Sequence, residues 1–213
     1  MSRQTLTKPF AAVNTSAGMP MGAGDWLQLE YVLYQDNKGI ERRWERCIRR
    51  KQRPSDIDAI DIHAILLTPK PEILFVVQYR PAIERYCIEF PSGLIDADES
   101  DPVRSAQREL KEETGYCVSE KDIQLLKVPV AYEPGLSNSC CYVAKVTIDI
   151  TQLTEPPVQE LEPDEWSLQT ISLPLDGLLN HLLDLEKSQQ GLLVIDSRVH
   201  ALATGLAYAN EFV

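Results

Sequence analysis

β-forming residues open the patterned part of the chain: Trp26, Leu27, Leu29, Tyr31, Val32 and Tyr34 run into Asp36-Asn37-Lys38-Gly39, a turn signal, and a second extended stretch follows through Ile48. This predicts a hairpin unit over 25–53. Residues 1–24, small and polar, give little to bury and are expected to form a flexible tail, with order beginning near Asp25. A polar, proline-containing segment from Gln52 to Asp58 is expected to act as a hinge to a main domain over 58–213. Within that domain, short β-branched runs at 62–67 and 73–79, flanking Pro69 and Pro71, suit strands of a mixed sheet. Further strands are expected near 124–131, 140–148 and 167–172, and helices over 102–114, 175–187 and 197–210. Asp101 and Pro102 are placed to start the first helix and Gly115 to stop it. Strands on either side of an acidic helix, closed by C-terminal helices, imply an α/β/α sandwich.

Composition changes the picture only by exclusion. The 213 residues are 44% hydrophobic and 25% charged, ordinary usage for a folded chain. A net charge of −11 makes the average surface repel polyanions, so nucleic acid is not an expected partner. No apolar run approaches the ~20 residues of a membrane span, and the N-terminus lacks a basic-then-apolar secretory pattern. The reading is a chain without membrane attachment, cytoplasmic and also compatible with the nucleus. Five cysteines, none in a paired metal-binding spacing, fit free thiols in a reducing compartment. His63, His181 and His200 are far apart and are read as structural.

The chemistry is concentrated in one stretch. On a helix of ~3.6 residues per turn, Glu109, Glu112 and Glu113 share a stripe, while Val103, Ala106 and Leu110 form an adjacent apolar one. Like charges at this spacing cost ~0.2–0.5 kcal/mol per pair. One explanation is a solvated acidic face with Arg108 paired to Glu112. The other is a hard divalent cation, Mg²⁺ or Mn²⁺, which prefers carboxylate oxygens and shares its shell with water and phosphates. Pro91-Ser92-Gly93, after the extended Tyr86 to Phe90, favours the second, because glycine lets backbone approach a ligand closely.

Gly93, five residues, Glu99, and then Arg108-Glu109-Leu110-Lys111-Glu112-Glu113-Thr114-Gly115-Tyr116 together resemble the Nudix box. The spacing departs at one point: eight residues, Ser100 to Gln107, separate Glu99 from Arg108 where the pattern has seven. The resemblance extends over nearly the whole chain from Gly24 and points to the ADP-ribose or ADP-sugar pyrophosphatase branch. Cys87 to Asp96 resembles that branch's strand and loop before the helix, Glu133-Pro134-Gly135-Leu136-Ser137-Asn138 its downstream Pro-Gly loop, and Gly24-Asp25-Trp26 with Arg43-Trp44-Glu45 its N-terminal hairpin.

The resemblance implies the Nudix sandwich with a mixed sheet and a hairpin unit exchanged between the subunits of a homodimer. It implies hydrolysis of ADP-ribose or a related ADP-sugar to AMP and a sugar phosphate. Glu109, Glu113 and the Ser92 carbonyl become metal ligands, with Glu112 close by. Glu165 is the expected base and a further ligand, with Glu162 the second candidate. Trp26 and Trp44 would sandwich adenine, Glu45 would accept from its amine, and Arg49 and Arg80 would contact pyrophosphate or ribose. Leu94 and Glu133 complete the expected substrate contacts.

Each assignment competes with a plainer one: core filler for the tryptophans, a solvated loop for residues 160–165, and a charged edge strand for Arg42 to Arg53, where seven of twelve residues are basic. Strict strand alternation puts Trp44 and Arg49 on opposite faces unless a bulge or the strand's end intervenes. Two other activities fit the same motif. One is hydrolysis of oxidised nucleoside diphosphates, and the other is noncatalytic sensing of an ADP-sugar, against which retention of all three helix glutamates argues.

Overall fold

The computed structural model describes residues 13–50, 57–96, 99 and 101–212. The chain divides into two compact units, Met1–Gln52 with Ala131–Ser139, and Arg53–Val130 with Cys140–Val213. The loop 131–139 therefore clusters with the N-terminal unit, although its sequence lies deep inside the stretch expected to form the main domain.

In the first unit, β1 (Met19–Ala23), β2 (Leu27–Gln35) and β3 (Glu41–Arg49) form an antiparallel sheet in that order. The expected hairpin is β2–β3, in unbroken register from Leu27 opposite Arg49 to Gln35 opposite Glu41. Its turn is set by Asp36, whose Oδ1 accepts from the amides of Lys38 (2.8 Å) and Ile40 (3.0 Å), and by Gly39 at a φ of +75°. β1 corrects the expected start of order near Asp25, because it lies inside the stretch read as tail. It is held to β2 by backbone pairing while most of its side chains face solvent, so it leaves no apolar pattern to read. Residues 1–12 of the expected tail, 51–53 of the expected hairpin unit and 52–56 of the expected hinge lie outside the described residues. Cys47 N donates to Leu136 O at 2.9 Å, which ties the 131–139 loop to β3.

The second unit contains β4 (Ala59–Leu67), β5 (Glu72–Arg80), β6 (Arg85–Glu89), β7 (Ser92–Leu94), α1 (Pro102–Thr114), β8 (Ile123–Ala131), β9 (Cys140–Asp149), β10 (Gln169–Pro174), α2 (Leu178–Ser188), β11 (Leu193–Ile195) and α3 (Ser197–Phe212). The strands form an eight-stranded mixed sheet in the order β11-β6-β5-β4-β9-β8, with β10 added to β5 and β7 to β4. β4–β9 and β6–β11 are parallel.

Strand alternation divides the core. Ile60, Ile62, Ala64 and Leu66 of β4 pack with Ala106 and Leu110 of α1. Ile65 of β4 instead joins Ile73, Phe75 and Phe90 against Leu178 and Leu182 of α2 and Val199 and Ala203 of α3. Helices thus cover both faces, and each fully buried Leu, Ile or Phe contributes about 1.5–3 kcal/mol. The helix expected from Leu175 begins at Leu178 instead, after Gly177 at a φ of +69°; Leu175 still packs on the second core from outside the helix.

Candidate active site

The caps and apolar stripe of α1 fix the helix against the sheet. The Asp101 side chain accepts from Val103 N at 3.1 Å, Pro102 occupies the first turn, and Gly115 closes the end at a φ of +77° by donating to Lys111 O at 2.8 Å. With Ala106 and Leu110 packed inward, Glu109 and Glu113 are brought, one turn apart, to β7. Glu113 is 2% exposed and accepts from Ser92 N at 2.9 Å, and Glu109 is 8% exposed. The Glu109 carboxylate fills the space over Gly93, where a Cβ would lie 1.8–2.3 Å from its atoms.

Arg108 organises the remaining acids. Its Nη1 donates to Glu109 Oε1 (2.7 Å) and Glu112 Oε2 (3.0 Å), and its Nη2 to Leu94 O (3.2 Å) and Glu99 Oε2 (3.3 Å). Asp96 Oδ2 is also within 3.4 Å. Glu99 accepts a further bond from Ser105 Oγ at 2.6 Å, so it braces the loop onto α1 despite the longer spacing between Glu99 and Arg108. Burial pushes the Glu99 carboxyl up, but the bonds from Ser105 and Arg108 outweigh it and hold the group below its ordinary value.

The two inner carboxyls behave differently. Burial pushes Glu109 up to about 7 against the pull of Arg108, with the charges of Glu112 and Glu165 adding to the rise. Burial drives Glu113 well above the ordinary range, opposed by the Ser92 amide and reinforced by the charges of Glu109 and Glu165. Two buried carboxyls side by side resist ionisation unless a positive charge joins them. Among the described residues, no group of three or more His, Cys, Asp or Glu side chains is arranged so as to hold a metal ion by itself. The donors available here are two carboxylates and backbone oxygen, a hard set suited to Mg²⁺ or Mn²⁺. Pro91 O and Ile95 N are taken by Ile62 N and Asp58 O, and Ser92 N turns instead to Glu113. Strand alternation turns the Ser92 carbonyl the same way.

Glu165 ends a short helical turn, Pro163–Glu165. Its Oε2 accepts from Glu162 N at 2.8 Å in a reciprocal capping box, which accounts for Glu162 as a cap. Burial, followed by the charges of Glu162, Asp164 and Glu112, raises the Glu165 carboxyl against the Glu162 amide bond. Arg80 is tied to buried Glu89, Nε to Oε2 at 2.8 Å, and its charge reaches Glu113. The second unit thus carries Arg80, Ser92, Leu94, Glu109, Glu112, Glu113, Glu162 and Glu165, and Leu94 contributes its carbonyl to Arg108.

The first unit carries the other expected contacts. Trp26 is 77% exposed just before β2 and Trp44 is 48% exposed in β3, which sets aside a core-filling role for either indole. Trp44 stands opposite Val32 and Arg49 opposite Leu27 with no register shift between them, so the two keep opposite parity and Arg49 falls at the strand's end. Glu45 pairs with Arg43 Nη2 at 3.1 Å, and that guanidinium lies 4.1 Å from the Tyr31 ring centroid. Arg42 pairs with Asp36 at 2.9 Å and Arg46 with Glu30 at 2.8 Å, so part of the basic stretch is neutralised within its own sheet. Glu133 offers its backbone carbonyl to Leu136 N (3.0 Å) and Ser137 N (2.9 Å).

Sequence reasoning missed the breadth of the Arg108 network, the Glu89 partner of Arg80, and the half-buried arginine that pairs with buried Asp61. Arg198 Nη1 donates to both Asp61 oxygens at 2.8 and 2.7 Å, while its Nε and Nη2 reach Asp196 at 2.8 and 2.9 Å. Asp61 and Arg198 lie too far apart in the chain for any local pattern to join them. His63 stacks on Phe90 with centroids 4.1 Å apart, and burial lowers its pKa. The cysteines Cys47, Cys87, Cys117, Cys140 and Cys141 are free thiols. Among the described residues, no helix is long and apolar enough to cross a membrane.

The NUDIX domain family matches residues 59–190. The chain is 37% identical over 192 residues to an ADP-ribose pyrophosphatase of Saccharomyces cerevisiae, covering 88% of this chain and 79% of that protein. It is 33% identical over 190 residues to an ADP-sugar pyrophosphatase of Mus musculus, covering 88% and 84%. The crystal structure of an ADP compounds hydrolase superposes with a TM-score of 0.62 at 20% identity, over 97% of this chain and all of that one, a likeness of fold.

Proposed function

The chain belongs to the Nudix hydrolase family, and from that premise we propose that it hydrolyses the pyrophosphate bond of ADP-ribose or a related ADP-sugar, giving AMP and a sugar phosphate. The observation that carries the reading is the buried pair Glu109 and Glu113 against Ser92 and Gly93 of β7, where an added Cβ would take the space the Glu109 carboxylate fills. These carboxylates and the Ser92 carbonyl would hold Mg²⁺ or Mn²⁺. When bound, such an ion supplies Lewis acidity to the diphosphate oxygens and acidifies a nearby water.

The chain's own residues do the rest. Arg108 holds Glu109 and Glu112 in place through one guanidinium, and the Ser92 amide holds Glu113. Glu165, with its carboxyl already raised, takes the proton of the attacking water once it leaves the Glu162 amide. Arg80, oriented by Glu89, faces the diphosphate as a bidentate donor. Trp26 and Trp44 stack on adenine, each stack contributing ~1–3 kcal/mol. Glu45, Arg49, Leu94 and Glu133 supply the remaining contacts to base, ribose and diphosphate. The exposed indoles and the exposed Leu27 and Leu29 of β2 support exchange of the N-terminal sheet between two subunits, with Trp26 reaching the partner's site. The five free thiols are consistent with a cytoplasmic setting, with access to the nucleus.

The test replaces Glu109, Glu113 and Glu165 singly by Gln and follows AMP release from ADP-ribose at saturating Mg²⁺. Each change is expected to lower kcat by at least about 100-fold. Normal turnover in Glu113→Gln overturns the metal assignment, and normal turnover in Glu165→Gln moves the base elsewhere. A higher kcat/KM for an oxidised deoxyguanosine diphosphate than for ADP-ribose would reassign the substrate, and tight ligand binding without product would make the protein a sensor.

A further inference from the structure

The carbonyls at the end of α1 are capped from outside the helix. An α-helix leaves its last four carbonyls without intrahelical donors. Here Glu112 O accepts from Glu160 N at 2.8 Å. Glu113 O accepts from two side chains, Gln159 Nε2 and Thr170 Oγ1, the latter at 3.0 Å. Gln159 Nε2 uses its second proton on Thr170 Oγ1 at 3.0 Å, which closes a three-membered ring of bonds between α1, the loop and β10. Outside the ring, Glu160 and Lys111 form an ion pair at 2.9 Å. The preceding backbone lies directly on Gly115, where a Cβ would be 2.3 Å from Val158 N and 2.7 Å from Pro157 C.

This strap has a neighbour with chemistry. Five residues beyond Glu160 comes Glu165, whose charge acts on Glu109 and Glu113, the acids of the helix the strap caps. On the far side, Leu168 N donates to Glu165 O at 2.8 Å, and Ser167 Oγ accepts from Tyr79 N at 2.9 Å, so that end is moored to β5. The turn carrying Glu165 is therefore a short span between two moorings, and the nearer one is the backbone of the residues whose side chains form the acidic site. Two side chains of the segment reach α1 among the described residues: Glu160, through the exposed ion pair with Lys111, and Gln159, which bonds the helix backbone itself.

We propose that Gln159 is a positioning residue for the reaction: by bridging Glu113 O and Thr170 Oγ1 it sets the register of the 157–165 segment on α1, and thereby the distance of the Glu165 carboxylate from Glu109 and Glu113. The proposal rests on the reading of Glu165 as the base. The Gln159 amide serves both acceptors because its one nitrogen carries two N–H donors. Leucine has neither donor and glutamate offers acceptors to an acceptor. Displacing a reacting group by about 1 Å costs on the order of 100-fold in rate, so a loosened strap acts on kcat without touching substrate affinity.

The test compares Gln159→Leu, Gln159→Glu and the conservative Gln159→Asn with the wild-type protein in three measurements: amide hydrogen exchange at Glu160 in the substrate-free protein, thermal unfolding, and ADP-ribose turnover. Faster exchange at Glu160 with unchanged protection inside α1 is expected for the Leu and Glu variants, with kcat down by about 10–100-fold, KM within about twofold, and partial recovery in the Asn variant. In a Glu165→Gln background the Gln159→Leu change should lower kcat no further, because the group it positions is already gone. Unchanged exchange at Glu160, or a full additional loss in that background, overturns the proposal. So does a fall in kcat that tracks a collapse of unfolding temperature across all three variants. If wild-type protein fails to hydrolyse ADP-ribose, the functional reading falls, while the exchange measurement still decides whether Gln159 sets the strap.

Discussion

At Gly93 a single missing methyl group decides what the neighbouring acid can do. A Cβ there would collide with the Glu109 carboxylate at 1.8–2.3 Å, yet that carboxylate is the far end of a flexible side chain. The fold can therefore accommodate Gly93→Ala by pushing Glu109 aside, and the cost falls on the site. The variant is expected to unfold within a few degrees of wild type but to bind Mg²⁺ with nucleotide at least about 10-fold more weakly by calorimetric titration, with a similar loss in kcat. Normal metal affinity in a folded Gly93→Ala protein would mean that Glu109 does not need this position. The acidic stripe and the close-approach glycine were readable because both are local, four residues apart on a helix or within one short Pro-Ser-Gly stretch. The role of Arg108 was only half readable. Its i,i+4 partner Glu112 follows from helix geometry, but its bonds to Leu94 O and Glu99 depend on a loop folding back over the helix. Arg198 and Asp61 lie further beyond local reading, since nothing near either residue announces the other.

Elements were legible in proportion to how much of their signal sits in side chains. α1 carried a cap, a first-turn proline, an apolar stripe and a terminal glycine, and the structure places it over the residues those signals mark. β11, three residues long and held in parallel by β6, offers no comparable pattern, and β1 is held by backbone bonds while its side chains are exposed. The membership of 131–139 in the first unit depends on a single backbone bond pattern along β3 that no periodicity encodes. The same reasoning gives a prediction for α1. Among the described residues the Asp101 side chain bonds Val103 N and none of the site acids, so Asp101→Ala should lower stability by about 1 kcal/mol in urea unfolding while leaving kcat at saturating substrate and Mg²⁺ within about twofold. A large loss of kcat with unchanged stability would show that the start of the helix feeds directly into the chemistry.

At the scale of the molecule, the formal charge of −11 opposes a doubly anionic substrate, and the basic stretch of β3 is partly spent on Asp36, Glu30 and Glu45. Long-range attraction is thus a weak source of affinity, and the proposed stacking on Trp26 and Trp44 would add to it. Trp26, just before β2, and Trp44 in β3 expose large flat apolar faces that a base could cover. If adenine does so in a site completed by the partner's Trp26, the arrangement can be separated genetically. Trp26→Ala removes the stacking surface from one subunit, and Glu113→Gln removes a metal ligand from the other. Each variant alone should have little activity at low ADP-ribose concentration. Mixed and allowed to exchange subunits, half of the dimers become heterodimers in which one site draws an intact Trp26 from one chain and an intact Glu113 from the other. About a quarter of wild-type kcat/KM should return, as random reassortment of a twofold dimer dictates. If both residues serve a site within one chain, every site in the mixture keeps one defect and no activity returns. Light scattering on the same samples reports whether a dimer is present, so a failure to complement in a dimer that demonstrably exchanges subunits would place Trp26 and Glu113 in the same subunit's site and end the case for exchange.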